Sequence, residues 1–118
     1  MNVEELRDLA LSFPAVEECF PFDEDTLVFK VMGKIFLMVA LEKSPVFFNF
    51  KARPEDGLKY RERYPAITPG YHSDKRHWNS LQLDGSIPSE ETARFIKDSY
   101  DLIVASLPKY KQKELEAL

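Results

Sequence analysis

The sequence predicts one α+β domain spanning residues 1–118, an antiparallel β-sheet packed by helices on one face in the order α-β-β-β-α-β-α. Three observations predict it. Apolar residues recur at three- and four-residue spacing near both ends of the chain, the mark of helices facing a core. Between those ends the period switches to two over several short runs separated by Gly, Pro and charged residues. And 118 residues with a 44% hydrophobic fraction suffice to bury a core without disulfides or metals.

The first helix rests on Val3, Leu6, Leu9, Ala10 and Phe13. Asn2 is its N-cap, Glu4 and Glu5 suit the positive end of its dipole, and Pro14 stops it. Val16 to Asp25 follows as an irregular acidic connector that Phe20 and Phe22 are expected to pin to the core. Leu27, Phe29 and Val31 alternate with Val28 and Lys30 as a first strand. Met32-Gly33-Lys34 turns the chain, and Ile35 to Leu41 forms the second strand of a hairpin. Val46 to Lys51, rich in Phe, is the third strand of a meander. Pro54 opens a short helix, Glu55 and Asp56 favour its first turn, and Pro65 ends it. Pro69-Gly70 is a turn signal, after which Trp78 to Leu83 is the fourth strand and Asp84-Gly85 the next turn. Ser89 is read as the N-cap of a long helix striped by Thr92, Phe95, Ile96, Ser99, Leu102, Ile103 and Ser106. Leu107-Pro108 breaks it, leaving Tyr110 to Leu118 as a charged tail.

Composition excludes several functions. The acidic start, Met1-Asn2-Val3-Glu4-Glu5, does not resemble a signal peptide, and no apolar run is long enough to cross a bilayer. Cys19 is the only cysteine, so no internal disulfide forms, and the expectation is a cytoplasmic protein with no membrane partner. His72 and His77 lack metal-ligand spacing, no serine sits on a nucleophile elbow, and the four glycines are scattered. The expectation is therefore a chain that is not an enzyme and uses no cofactor or metal. The acidic residues Glu4, Glu5, Asp8, Glu17, Glu18, Asp23, Glu24 and Asp25 read as a solvated face, with cation binding the alternative.

The net charge of −4 argues against a nucleic-acid coat held by bulk charge, yet its distribution is uneven. Residues 51–76 carry seven Lys/Arg against four Asp/Glu, and both flanking segments are acidic. The stretch Pro69-Gly70-Tyr71-His72-Ser73-Asp74-Lys75-Arg76-His77-Trp78-Asn79-Ser80 holds both histidines and the only tryptophan. Cations neutralise phosphates, Asn can pair with a base edge and an exposed aromatic can stack on one. That kit points to DNA, with Lys75 and Arg76 on phosphates and His77, Trp78 and Asn79 near sugar or base. His72, Lys51 and Arg53 complete the expected site. The opposing reading places Trp78 in the core, gives Tyr71 and Tyr64 packing roles and makes the lysines and arginines solubilising charge.

The motif Pro69-Gly70-Tyr71-His72-x-x-Lys75-Arg76-His77-Trp78-Asn79 resembles the signature of the MmcQ/YjbR family of small bacterial proteins. Phe20-Pro21-Phe22-Asp23, the hairpin around Gly33-Lys34, Leu83-Asp84-Gly85-x-Ile87-Pro88 and Leu107-Pro108-Lys109 agree with it in order, over nearly the whole chain. It departs at Ser73-Asp74, where relatives often carry an apolar residue and Asn. The resemblance implies a CyaY-like, double-wing fold and a DNA-binding role. The fold's frataxin-like users imply an alternative, iron held on the acidic face. A third reading is a protein-interaction or small-ligand module with Trp78 and Tyr71 as anchors.

Overall fold

The computed structural model describes all 118 residues and has ten elements. They are α1 (Val3–Ser12), β1 (Val16–Cys19), β2 (Thr26–Val31), β3 (Lys34–Ala40), β4 (Phe47–Lys51), α2 (Pro54–Arg63), β5 (Ile67–Pro69), β6 (Trp78–Gln82), α3 (Ser89–Ala105) and α4 (Lys109–Glu116). The six strands form one sheet, ordered β1-β2-β3-β4-β6-β5, and every neighbouring pair is antiparallel. The α+β class, the meander and the helices on one face are as the sequence predicts. Three elements are additional. β1 and β5 are short edge strands, and α4 occupies the expected tail.

Local chemistry accounts for the elements. Asn2 closes a capping box with Glu5: its side chain accepts from the Glu5 N–H at 2.8 Å, and Glu5 accepts from the Asn2 N–H at 3.2 Å. Met32 and Gly33 both take positive φ, 48° and 85°, the pairing of a type I′ hairpin turn whose twist matches the strands it joins. Pro88, rather than Ser89, holds the cap position of α3 and makes no side-chain cap bond.

Side-chain alternation divides the sheet into two faces. Leu27, Val39, Phe48, Leu81 and Ile67 are successive cross-strand partners on the helix-covered face, and Phe29, Leu37 and Phe50 form the next row. With Phe36, Phe95, Ile96, Tyr100 and Ile103 they make one apolar core. Phe36 meets the edge of Tyr100 at 5.3 Å between centroids, and Phe95 stacks on Phe50 at the same distance. Phe20 and Phe22 do not join this core. They are 50% and 66% exposed, outside the buried cluster under the helices.

Ser99, fully buried on α3, closes the gap where β3 and β4 part. Their pairing stops at Leu37 and Phe50; one residue further, Ser99 Oγ accepts from the Lys51 N–H at 2.8 Å and donates to the Phe36 carbonyl at 2.7 Å. Ser99→Ala strands two backbone groups with no water to replace the hydroxyl. It is expected to lower stability by about 2–3 kcal/mol in urea unfolding.

Candidate functional site

The opposite face of the sheet carries no helix over its centre. Thr26, Ala40 and Phe47 form one cross-strand row there, and Met38, Asn49 and Ser80 the adjacent one. The segment Phe20–Asp25 flanks this face on one side and the loop Tyr71–His77 on the other. Between them lies a groove of about 490 Å³. Its floor is Met38, Ala40, Phe47 and Asn49, and its walls include Phe22, Asp25, Glu42, Tyr71 and Ser73.

Two buried polar side chains fix the loop that forms one wall. Asn49 Nδ2 donates to the Tyr71 carbonyl at 2.9 Å and to Ser73 Oγ at 3.1 Å, while Asn49 Oδ1 accepts from Ser80 Oγ at 2.5 Å. Ser80 Oγ in turn accepts from the Tyr71 N–H at 3.0 Å. The loop backbone thus finds its partners in the sheet rather than in water. Tyr71 then meets the ring of Phe47 edge to face at 5.6 Å. Asn49 is the one polar residue in the run Phe47-Phe48-Asn49-Phe50, and that interruption was the available sequence signal for an anchor on this face.

The acidic wall is built differently. Asp23 caps the start of β2: its Oδ1 accepts from the N–H groups of Asp25 and Thr26 at 2.8 and 2.7 Å, which holds its carboxyl below the ordinary range. Glu42 is pushed up, chiefly by its carboxyl contact with Asp25 and their like charge, with Asp23 adding to this and Lys43 opposing. No Lys or Arg makes a salt bridge to Asp23, Asp25 or Glu42. A carboxyl whose pKa rises on folding weakens the fold above its folded pKa, and that penalty fades as pH falls to its unfolded value. Glu42→Gln is therefore expected to raise the urea midpoint at pH 7. The gain should vanish near pH 4, at about the pKa of an unperturbed Glu.

The residues expected to bind DNA divide between places. Lys75 and Arg76 are both exposed on the loop. Lys75 Nζ donates to the Gly70 carbonyl at 2.9 Å, and no carboxylate pairs with the Arg76 guanidinium. Asp74 accepts from the Arg76 N–H at 2.9 Å and meets His77 Nδ1 at 2.7 Å; these bonds, the His77 contact first, hold its carboxyl below the usual range. His72 is exposed at φ 54° and lines the groove. Trp78 is half-buried at the end of β6, opposite Lys51.

Asn79 requires a correction. It is 0% exposed, on the helix side of the sheet beneath α2, where its Oδ1 accepts from Arg61 Nε at 2.7 Å. Asn79 therefore cannot reach a base edge. Its side-chain amide lies against Gly57, where a Cβ would come within 3.0 Å of Asn79 Oδ1. Arg61 also donates to the Lys75 carbonyl at 2.7 Å, so this arginine serves packing rather than the surface. Lys51 and Arg53 line a second cleft of about 330 Å³ together with Asp56, Asp98 and Asp101, whose carboxylates outnumber them. Burial raises the pKa of Asp98 in that cleft. On the acidic face assigned to iron, Glu18 is taken by a two-pronged pair with Arg7 at 2.7 and 2.5 Å. No three His, Cys, Asp or Glu side chains are arranged to hold a metal ion. No helix is long and apolar enough to cross a membrane.

The YjbR family model matches residues 11–102, which include every strand and both walls of the groove. This chain belongs to the YjbR family. Among its relatives, the uncharacterized protein YbdF of Escherichia coli O157:H7 is 38% identical over 112 residues, covering 95% of this chain and 92% of that one. The uncharacterized protein YjbR of Escherichia coli strain K12 is 29% identical over the full length of both. A crystal structure of the Deinococcus radiodurans protein DR2400, domain DUF419, is 36% identical and superposes with a TM-score of 0.91, covering 98% of this chain and 88% of that one. A crystal structure of a Pseudomonas syringae protein shares the fold with a TM-score of 0.75 at 24% identity, covering 86% of this chain and 98% of that one.

Proposed function

We propose that this YjbR-family chain acts by reversible binding without covalent chemistry, and that its ligand seats in the groove on the uncovered sheet face. The observation that carries this reading is the pinned loop. Asn49 and Ser80 are buried polar side chains whose hydrogen bonds hold one wall of the concavity in place, so the groove exists before any ligand arrives. A concavity with Met38, Ala40 and Phe47 on its floor and polar side chains around them, in a volume within the usual range of about 300–1,000 Å³, has the size of a small-ligand site. Indole, a neutral aromatic probe, tests it. Saturable shifts of the Thr26, Phe47 and Tyr71 amide resonances are expected, and no shift there would overturn the reading.

DNA binding is the second reading, favoured by two successive exposed cations, Lys75 and Arg76, neither of which forms a salt bridge. Neutralising phosphates releases counterions, so such binding would weaken steeply with salt. Duplex DNA at low salt that shifts the Lys75 and Arg76 amides, and loses affinity in the Lys75→Ala/Arg76→Ala double variant, would move the function to this loop. A duplex that leaves these resonances unmoved removes the reading.

A further inference from the structure

The groove's walls differ sharply in chemistry, and the difference specifies a ligand. Asp25 and Glu42 both line the groove, brought together where the Leu41 N–H donates to the Asp25 carbonyl at 3.0 Å, and neither is paired by a Lys or Arg salt bridge. Asp23 beside them is engaged in capping β2 but adds its negative charge. The opposite wall presents the ring of Tyr71, edge-on to Phe47 of the floor, and Phe22 and Met38 add apolar surface to the lining. A phosphate or carboxylate ligand would meet this acidic wall and be repelled. A wholly apolar ligand would leave the carboxylates facing each other.

The chain itself shows which group fits. Lys43 extends its ammonium to 6.0 Å from the centre of the Tyr71 ring, the outer limit of a cation–π contact, while its charge also acts on Glu42. An ammonium thus already lies near the aromatic wall, and it forms no salt bridge with Asp25 or Glu42. The geometry points to a small organic ammonium ion with an apolar body as the ligand of this groove, its cation against Asp25 and Glu42 and its body on Phe47, Tyr71 and Met38. This assignment rests on the groove being the binding site. It adds the sign of the ligand's charge and the residues that read it.

Three probes of similar size separate the possibilities: phenethylammonium, 2-phenylethanol and 3-phenylpropionate. Each is titrated into the full chain while the amide resonances of Thr26, Phe47 and Ser73 are followed. At low salt the ammonium should bind about tenfold tighter than the alcohol, from charge attraction plus the cation–π term, and the carboxylate should bind weakest. Added salt should erode the ammonium's advantage as the Debye length shortens to about 8 Å. Glu42→Gln should remove most of that advantage, read as a fall in the ratio of ammonium to alcohol affinity. Because this variant is expected to be more stable than the parent, lost binding could not be blamed on unfolding. Lys43→Met, which frees the site of its tethered cation, should bind the ammonium more tightly.

Equal affinity for ammonium and alcohol would overturn the assignment of charge while leaving the groove as the binding site. Groove resonances that respond to none of the three probes would overturn both.

Discussion

Phe95→Ala is expected to destabilise the fold by about 3–5 kcal/mol, a large share of the roughly 5–15 kcal/mol that holds a domain together. Phe95 is 1% exposed and sits where three elements meet. Its ring stacks on Phe50 of β4 at 5.3 Å, meets Tyr60 of α2 at 4.7 Å and takes Tyr64, at the end of that helix, edge-on at 6.1 Å. The location makes the loss uneven. α2 has ten residues with Gly57 in its interior, too short and too poor in intrinsic propensity to persist alone. Its attachment depends on Tyr60 and Tyr64 against Phe95, together with the Arg61–Asn79 bond. Removing the ring should therefore open α2 first. Hydrogen exchange should accelerate at the α2 amides well before those of β2 and β3, and the urea midpoint should fall. Phe95→Leu, which keeps much of the volume, should cost about 1.5 kcal/mol or less. A Phe95→Ala protein with unchanged exchange in α2 would mean that the helix is held by something other than this aromatic cluster.

The parts of the fold that were legible in the sequence are those whose residues face one environment along their whole length. α3 reads clearly because Thr92, Phe95, Ile96, Ser99 and Ile103 all point into the core and their spacing repeats every turn. β2 and β3 read clearly because Gly33 marks their turn and alternation marks their faces. β1 does not. Val16-Glu17-Glu18-Cys19 pairs with a neighbour on one side only, and two of its four residues are carboxylates, so no apolar pattern announces it. β5 is three residues ending in Pro, and α4 is mostly Lys and Glu with Leu115 as its main contact to the core. Both borrow their structure from neighbours that the local sequence does not contain.

The candidate site was legible only at its loop. Alternation in β6 correctly sets Trp78 and Ser80 opposite Asn79 and Leu81, but it does not say which face the helices cover. That choice is made by α1 and α3, elements distant in sequence, and it sends Asn79 inward and Ser80 toward the groove. Phe47 and Met38 look like core residues in the sequence because they are apolar. They form a groove floor because no helix lies over their face of the sheet. The acidic connector looked like a solvated charged face, and its neighbourhood with Glu42 appears only when β2 and β3 pair.

Gly70→Ala is expected to cost about 2–3 kcal/mol and to release the wall of the groove with it. A Cβ built on Gly70 would lie 2.8 Å from Trp78 Cβ and 2.9 Å from both the carbonyl carbon and oxygen of Trp78. Two of those three atoms are strand backbone, so they cannot yield as the tip of a flexible side chain would. The close approach has a purpose: Gly70 donates its N–H to the Trp78 carbonyl at 2.9 Å and offers its own carbonyl to Lys75 Nζ at 2.9 Å. Forcing the backbones apart stretches the first bond and shifts the second, and Tyr71 follows Gly70 directly. The Tyr71 bond to Ser80 and the ring contact with Phe47 should then loosen together. Expected results are a lower urea midpoint, a change in Trp78 emission and weaker indole binding in the groove. Gly33→Ala provides the contrast. That position has φ +85° and nothing within 4 Å of its added Cβ, so it should strain its turn by about 1 kcal/mol while leaving indole binding intact. If Gly70→Ala also retained full indole affinity, the loop would not be positioned by its contact with β6, and the preformed wall on which the binding function depends would be lost as an explanation.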